Sequence, residues 1–151
     1  MEITLTISQR AVLDEVSQTS SYTGTKKDAD EKAYDRIRTT EEDRSELLRF
    51  WNECRAEVAQ TFIRMLVQEG MAEDGDTYDL VLNVSVAFDR ALLPSMQLGL
   101  FSYFVQSIAA KWYMYSNKEE SGAYADVGKA ILDEVKRKAL YKKKPVRPTY
   151  G

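Results

Sequence analysis

Residues able to do chemistry are sparse in this chain, and their types exclude more than they suggest. None of the 151 residues is histidine, and Cys54 is the only cysteine. Without histidine there is no imidazole base, no Ser–His or Cys–His nucleophile and no zinc site of the His/Cys kind. Cys54 cannot form a disulfide within the chain, and its place in an apolar, helically spaced run predicts a buried, inert thiol. Carboxylates number 24, so pairs such as Glu53 with Glu57 and Asp133 with Glu134 arise by chance and read as solvated helix faces. Asp74-Gly75-Asp76 with Asp79 approaches a calcium loop but lacks the alternating acids and the closing bidentate glutamate. Neither G-x-x-x-x-G-K-[ST] nor G-x-G-x-x-G occurs. The expectation is a chain with no enzymatic activity, no metal and no cofactor.

What remains is charge. Between Lys136 and Arg147 lie seven basic side chains (Lys136, Arg137, Lys138, Lys142, Lys143, Lys144 and Arg147) and no acidic one. Setting those seven aside leaves 14 basic residues against 24 carboxylates, so residues 1–135 carry about −10. An acidic body with a basic, proline-containing arm suits charge-matched docking to another copy, to a different subunit or to nucleic acid, with a solvated tail as the plain alternative. These seven residues are the candidate partner-binding site. The aromatic cluster Phe101, Tyr103, Phe104, Trp112, Tyr113 and Tyr115 offers a stacking platform for single-stranded nucleic acid, but its helical spacing favours core and interface.

The elements that must position these residues follow from periodicity. Ile3, Leu5 and Ile7 alternate with polar residues, as do Tyr78, Leu80, Leu82, Val84 and Val86, which predicts a minor antiparallel strand pair. Apolar steps of three and four predict helices near residues 8–18, 40–69, 95–116 and 118–140. Ser8 is a candidate N-cap of the first, ended by the serine-, threonine- and glycine-rich run from Ser17 to Thr25. Thr39 with Glu42 and Asn117 with Glu120 have capping-box spacing before the second and fourth. The second spans Leu47, Phe50, Trp51, Cys54, Val58, Phe62, Met65 and Leu66 and stops at Gly70, about 45 Å of helix. Pro94 closes the loop before the third.

Ser95–Tyr115 is long enough to cross a bilayer and carries only one charge, Lys111. Gln97, Ser102, Gln106 and Ser107 interrupt it, so a central helix packed on several sides is expected. The opening run from Met1 to Ile7 lacks the basic flank and apolar stretch of a signal peptide, which predicts a cytoplasmic origin. The length fits one domain. The expected fold is mainly α, a four-helix single domain over residues 1–140 with the minor strand pair, and an extended basic C-terminal arm over 141–151.

Two segments carry a family resemblance. Tyr34-Asp-Arg-Ile-Arg-Thr-Thr40, leading to Asp43-Arg-Ser-Glu-Leu-Leu-Arg-Phe-Trp51, resembles structural proteins from phages and prophages of gut anaerobes. Tyr103-Phe-Val-Gln-Ser-Ile-Ala-Ala-Lys-Trp-Tyr113, then Asn117-Lys-Glu-Glu120 and Ala130-Ile-Leu132, is similar to the final helix pair of phage head-to-tail connector (adaptor) proteins. There an apolar helix ends in an aromatic pair, a charged turn follows, and an amphipathic helix leads into a basic tail. The length of the second helix and the strand near Leu80–Val86 depart from that pattern and leave room for a tail-completion role in the same particle. The resemblance implies a virion structural subunit of the neck, assembled in the host cytoplasm. It implies a homo-oligomer ring, commonly twelve-fold, between portal and tail proteins, with no membrane and no catalytic residues. DNA passing through such a channel is a further candidate contact. A small nucleic-acid-binding or regulatory protein using the basic arm is the alternative from another class.

Overall fold

In a computed structural model, which describes residues 1–25 and 41–145, the chain is mostly helical around a small antiparallel sheet. Strand β1 (Glu2–Ser8) leads directly into helix α1 (Gln9–Thr25). A short 3₁₀ turn (Glu41–Asp43) opens α2 (Arg44–Thr61), which is followed by β2 (Leu66–Met71) and β3 (Thr77–Asn83). A second 3₁₀ turn (Arg90–Leu92) leads into α3 (Leu93–Ser116), and α4 (Lys118–Leu140) completes the body.

The strand order is β1-β3-β2, antiparallel throughout. Ile3 faces Leu82, Leu5 faces Leu80 and Ile7 faces Tyr78, so one sheet face is a solid apolar surface and all six side chains are buried. Trp51 of α2 and Phe104 of α3 pack on it. The Trp51 ring stands edge-on to Tyr78 at 5.9 Å and tilted against Phe104 at 4.5 Å. The opposite face presents Glu2, Thr4, Thr6 and Asp79, none of them buried.

The fold class agrees with the expectation, with corrections within all four helices. The helix expected over 40–69 ends at Thr61, Phe62 turns the chain, and Leu66–Met71 forms a third strand instead of the helix's last turns. Thr39, the expected cap, lies outside the described residues. The reason is tertiary. The backbone groups of Thr77, Asp79, Val81 and Asn83 that face away from β1 need partners, and β2 supplies them, with the Asn83 amide bonding Met65 O at 2.7 Å and the Ala72 amide bonding Thr77 O at 2.7 Å. Phe62, Met65 and Leu66 thus carry a helical spacing that the ladder overrides.

Helix α1, expected to stop near residue 18, continues to Thr25. Ser8 caps its start, accepting from the Ala11 amide at 3.1 Å. Within it, Ser20 is buried and returns its hydroxyl to Ser17 O at 2.9 Å, so the polar run is absorbed rather than breaking the helix. Pro94, expected in the loop, sits in the first turn of α3, where its missing N–H costs nothing.

Helix α3 is the centre of the molecule. It buries Met96, Leu100, Phe104 and Ile108 completely and meets α1, α2, β1 and α4. The α3–α4 pair makes the most extensive helix contact and approaches closely at two glycines. A Cβ on Gly99 would stand 2.7 Å from Val135 Cγ2, and one on Gly128 would stand 2.7 Å from Ser107 Oγ. Asn117 holds the N-cap position of α4 but makes no side-chain cap bond, so the expected capping box with Glu120 does not form through it. Among the described residues no helix is long and apolar enough to cross a membrane.

Candidate functional site

The seven basic residues divide between two settings. Lys136, Arg137 and Lys138 belong to the last turns of α4, where cations suit the negative helix end. Arg137 pairs with Glu134 one turn back at 2.7 Å, and Lys138 Nζ donates to Ser95 Oγ at 3.2 Å. Lys142, Lys143 and Lys144 lie beyond Leu140, where Tyr141 turns extended (φ −68°, ψ 136°). Arg147 lies outside the described residues.

This part of the arm lies against its own chain. Lys142 forms an isolated antiparallel bridge with Phe88, and the Lys143 amide donates to Ala87 O at 2.8 Å. Lys143 Nζ is 3.7 Å from Asp89 Oδ1, an oxygen that also caps the Ala91 amide at 3.0 Å. All three lysines are exposed, as are Leu140 and Tyr141 beside them. Val86, opposite Lys144 if the bridge register is continued, is 89% exposed.

The acidic turn at the other end of the sheet is built, not loose. Gly75 takes the left-handed conformation (φ 71°) that the turn between β2 and β3 requires. Asp74 Oδ1 accepts from the Asp76 and Thr77 amides at 2.9 Å each, and Oδ2 accepts from Thr77 Oγ1 at 2.6 Å. The Thr77 hydroxyl, then the Thr77 and Asp76 amides, pull the Asp74 carboxyl down to about 2. Asp76 accepts from the Arg10 amide and the Ser8 hydroxyl, both at 2.8 Å, and these lower its pKa in that order. Both carboxylates therefore stay charged at neutral pH while serving as turn locks. Among the described residues no group of three or more ligating side chains can hold a metal ion.

A second polar cluster bridges α2 and α3. Lys111, the lone charge of α3, reaches Glu57 Oε1 at 3.1 Å and Glu53 Oε2 at 3.3 Å. Tyr103 donates its hydroxyl to the other oxygen of Glu57 at 2.5 Å. Burial pulls the Lys111 ammonium down, but the Glu57 bond and neighbouring negative charge outweigh it, and its pKa ends raised. Burial, then Cys54 and Glu57, push the Tyr103 phenol far above the ordinary tyrosine range. Burial likewise raises the Cys54 thiol to about 12. An open cleft of about 350 Å³ lies beside the cluster, walled by Tyr103, Ser107, Met114, Lys129, Leu132 and Asp133.

The sequence placed Glu53 and Glu57 on a solvated face and did not join them to Lys111. The available signal was a single cation inside an otherwise apolar helix, which needs a counter-charge on whatever packs against it. Chemically the cluster is a clamp: Lys111 and Tyr103 each donate to one oxygen of Glu57, and Lys111 also pairs with Glu53. No protein family, curated protein or solved structure matches the chain.

Proposed function

We propose that this chain is a non-enzymatic structural subunit of a head-to-tail connector (adaptor or neck) ring in a tailed bacteriophage, sitting between portal and tail proteins. The observation that carries the assembly part of this reading is the placement of charge along the sheet. Lys142–Lys144 lie beside the Ala87–Asp89 loop, near the end of the sheet where Met1 meets Asn83 and Val84. Asp74 and Asp76 lie at the other end, beside Ser8. Seven residues of β3 separate the two, roughly 20 Å at the usual strand rise.

A body that is basic at one end and acidic at the other favours head-to-tail contacts between copies, and such contacts close into rings when the rotation per step allows. Exposed ion pairs contribute only about 0–1 kcal/mol each, so the contact gains strength by repetition around a ring. The polar interior supports the non-enzymatic reading, because Cys54, Tyr103 and Lys111 are each held in an unreactive protonation state. The phage assignment itself rests on the helix-pair resemblance and the basic tail.

The test is the mass of the purified chain by size-exclusion chromatography with light scattering, followed by imaging of particles. A defined oligomer that dissociates as salt rises, found at the particle neck, is the expected result. A monomer at all salt concentrations, absent from particles, overturns the proposal. Lys142, Lys143 and Lys144 also suit a phosphate backbone. Affinity for DNA with a steep salt dependence, in a chain that remains monomeric, would favour the nucleic-acid-binding alternative.

A further inference from the structure

Among the described residues, β1 is an edge strand with no strand paired on its outer side. The Met1 carbonyl and the Gln9 amide bond the β3 side, to the Val84 amide and Asp76 O, so odd-numbered positions face β3. Glu2, Thr4 and Thr6 therefore point their backbone N–H and C=O groups away from the sheet. The strand is seven residues long, pairs with β3 without a bulge and contains no proline or lysine, the devices that usually blunt an edge. At Thr6 a side chain stands in, with Gln97 Oε1 accepting from the amide at 3.3 Å, where an incoming carbonyl would lie. Beside this edge runs an open groove formed by Ile7 of β1, Ala11 of α1 and Pro94, Leu98 and Phe101 of α3. Leu98 is 67% exposed there.

Resting on the reading that copies of this chain associate, we propose that the β1 edge seats the basic arm of a neighbouring copy, Tyr141–Pro145, as an added antiparallel strand. Three features select that occupant. The arm leaves α4 already extended, and its Lys143 backbone faces its own loop, which turns the Lys142 and Lys144 backbones to the opposite side. Pro145 shares the parity of Lys143, so its missing N–H falls away from the new ladder. Charge is complementary on the matching face: with Lys142 opposite Thr6 and Lys144 opposite Thr4, both ammonium groups share the outer sheet face with Glu2 and Asp79. Alternation then turns the exposed ring of Tyr141 toward Ile7 and the groove with Leu98 and Phe101.

The test is an NMR titration of the labelled full chain with a synthetic peptide of residues 139–151. The expected result is perturbation of the Thr4 and Thr6 amides, the Gln97 side-chain amide and Leu98. T4P removes one outward N–H and leaves the β1–β3 ladder intact, and L98D charges the groove at an exposed position. Each should weaken peptide binding about tenfold or more, with the spectrum otherwise preserved. Perturbation centred on residues 73–76, no perturbation, or affinity within about twofold in L98D overturns the seat. Light scattering separates the two ideas. An oligomer that persists in both variants removes this seat and spares the ring, whereas a monomeric wild-type chain that still binds the peptide at β1 does the reverse.

Discussion

Replacing Lys111 with Met tests whether the Glu53–Glu57–Lys111 cluster is an electrostatic clamp or incidental surface charge. The Lys111 side chain is 24% exposed, against 46% for Glu53 and 51% for Glu57, so both ion pairs are half-screened by water. Each is then worth about 0.2–1 kcal/mol. Removing the ammonium also leaves two carboxylates one helical turn apart, which costs about another 0.3 kcal/mol. The Met side chain recovers part of this against the apolar wall of the cleft, giving an expected net loss of about 1–1.5 kcal/mol, or about 2–6 °C in Tm.

Urea unfolding of the wild type, K111M, E57Q and the double variant closes a cycle whose coupling energy should be about 0.5–1 kcal/mol. E57Q keeps an acceptor for the Tyr103 hydroxyl, so the cycle isolates charge from hydrogen bonding. Raising salt from low to about 1 M shortens the Debye length to about 3 Å and should shrink the coupling. A coupling near zero refutes the clamp. A loss above about 3 kcal/mol in K111M refutes the screening argument, because only a desolvated pair leaves so costly an orphan.

W51A should cost about 3–5 kcal/mol in equilibrium unfolding, since the ring is fully buried between Tyr78 and Phe104, whereas W112A at a half-buried ring should cost clearly less. Asp74 has a folded pKa near 2, below its unfolded value, so its contribution is complete above the unfolded pKa and disappears as pH falls toward 2. In D74N, stability measured between pH 5 and pH 2 should fall less with acid than in the wild type. Cys54, buried with its thiol raised to about 12, should resist a thiol reagent in native buffer and react at once in denaturant. Labelling of the native protein at the denatured rate would contradict its burial.

Elements whose periodicity and partners agree were legible in the sequence. Alternation in Ile3–Leu5–Ile7 and Tyr78–Leu80–Leu82 gave the β1–β3 pair, and the nearly all-round apolar run after Ser95 gave the central helix. The missed strand β2 has the composition Leu-Val-Gln-Glu-Gly-Met, with no clean alternation, and its register slips between Leu66 and Gln68. Only the open side of β3, which local pattern does not encode, selects it as a strand. Site residues divide the same way. The basic run from Lys136 to Lys144 is visible as composition, but the bridge to Phe88 and the pairing of Lys111 with Glu53 and Glu57 are long-range contacts without a periodic signature.

The proposed assembly role places function on surfaces rather than in a pocket. Several polar groups among the described residues pair with one another: Tyr103 and Lys111 with Glu57, Arg55 with Glu69, and Ser8 and the Arg10 amide with Asp76. Exposed on the surface are Glu2 and Thr4 of β1, the apolar Leu98, Tyr141 and Val86, and the lysines of the arm. Edge, apolar side chains and basic strand are complementary to one another. On the proposed reading, a chain with both halves of such a contact on different parts of its surface finds its match in another copy of itself.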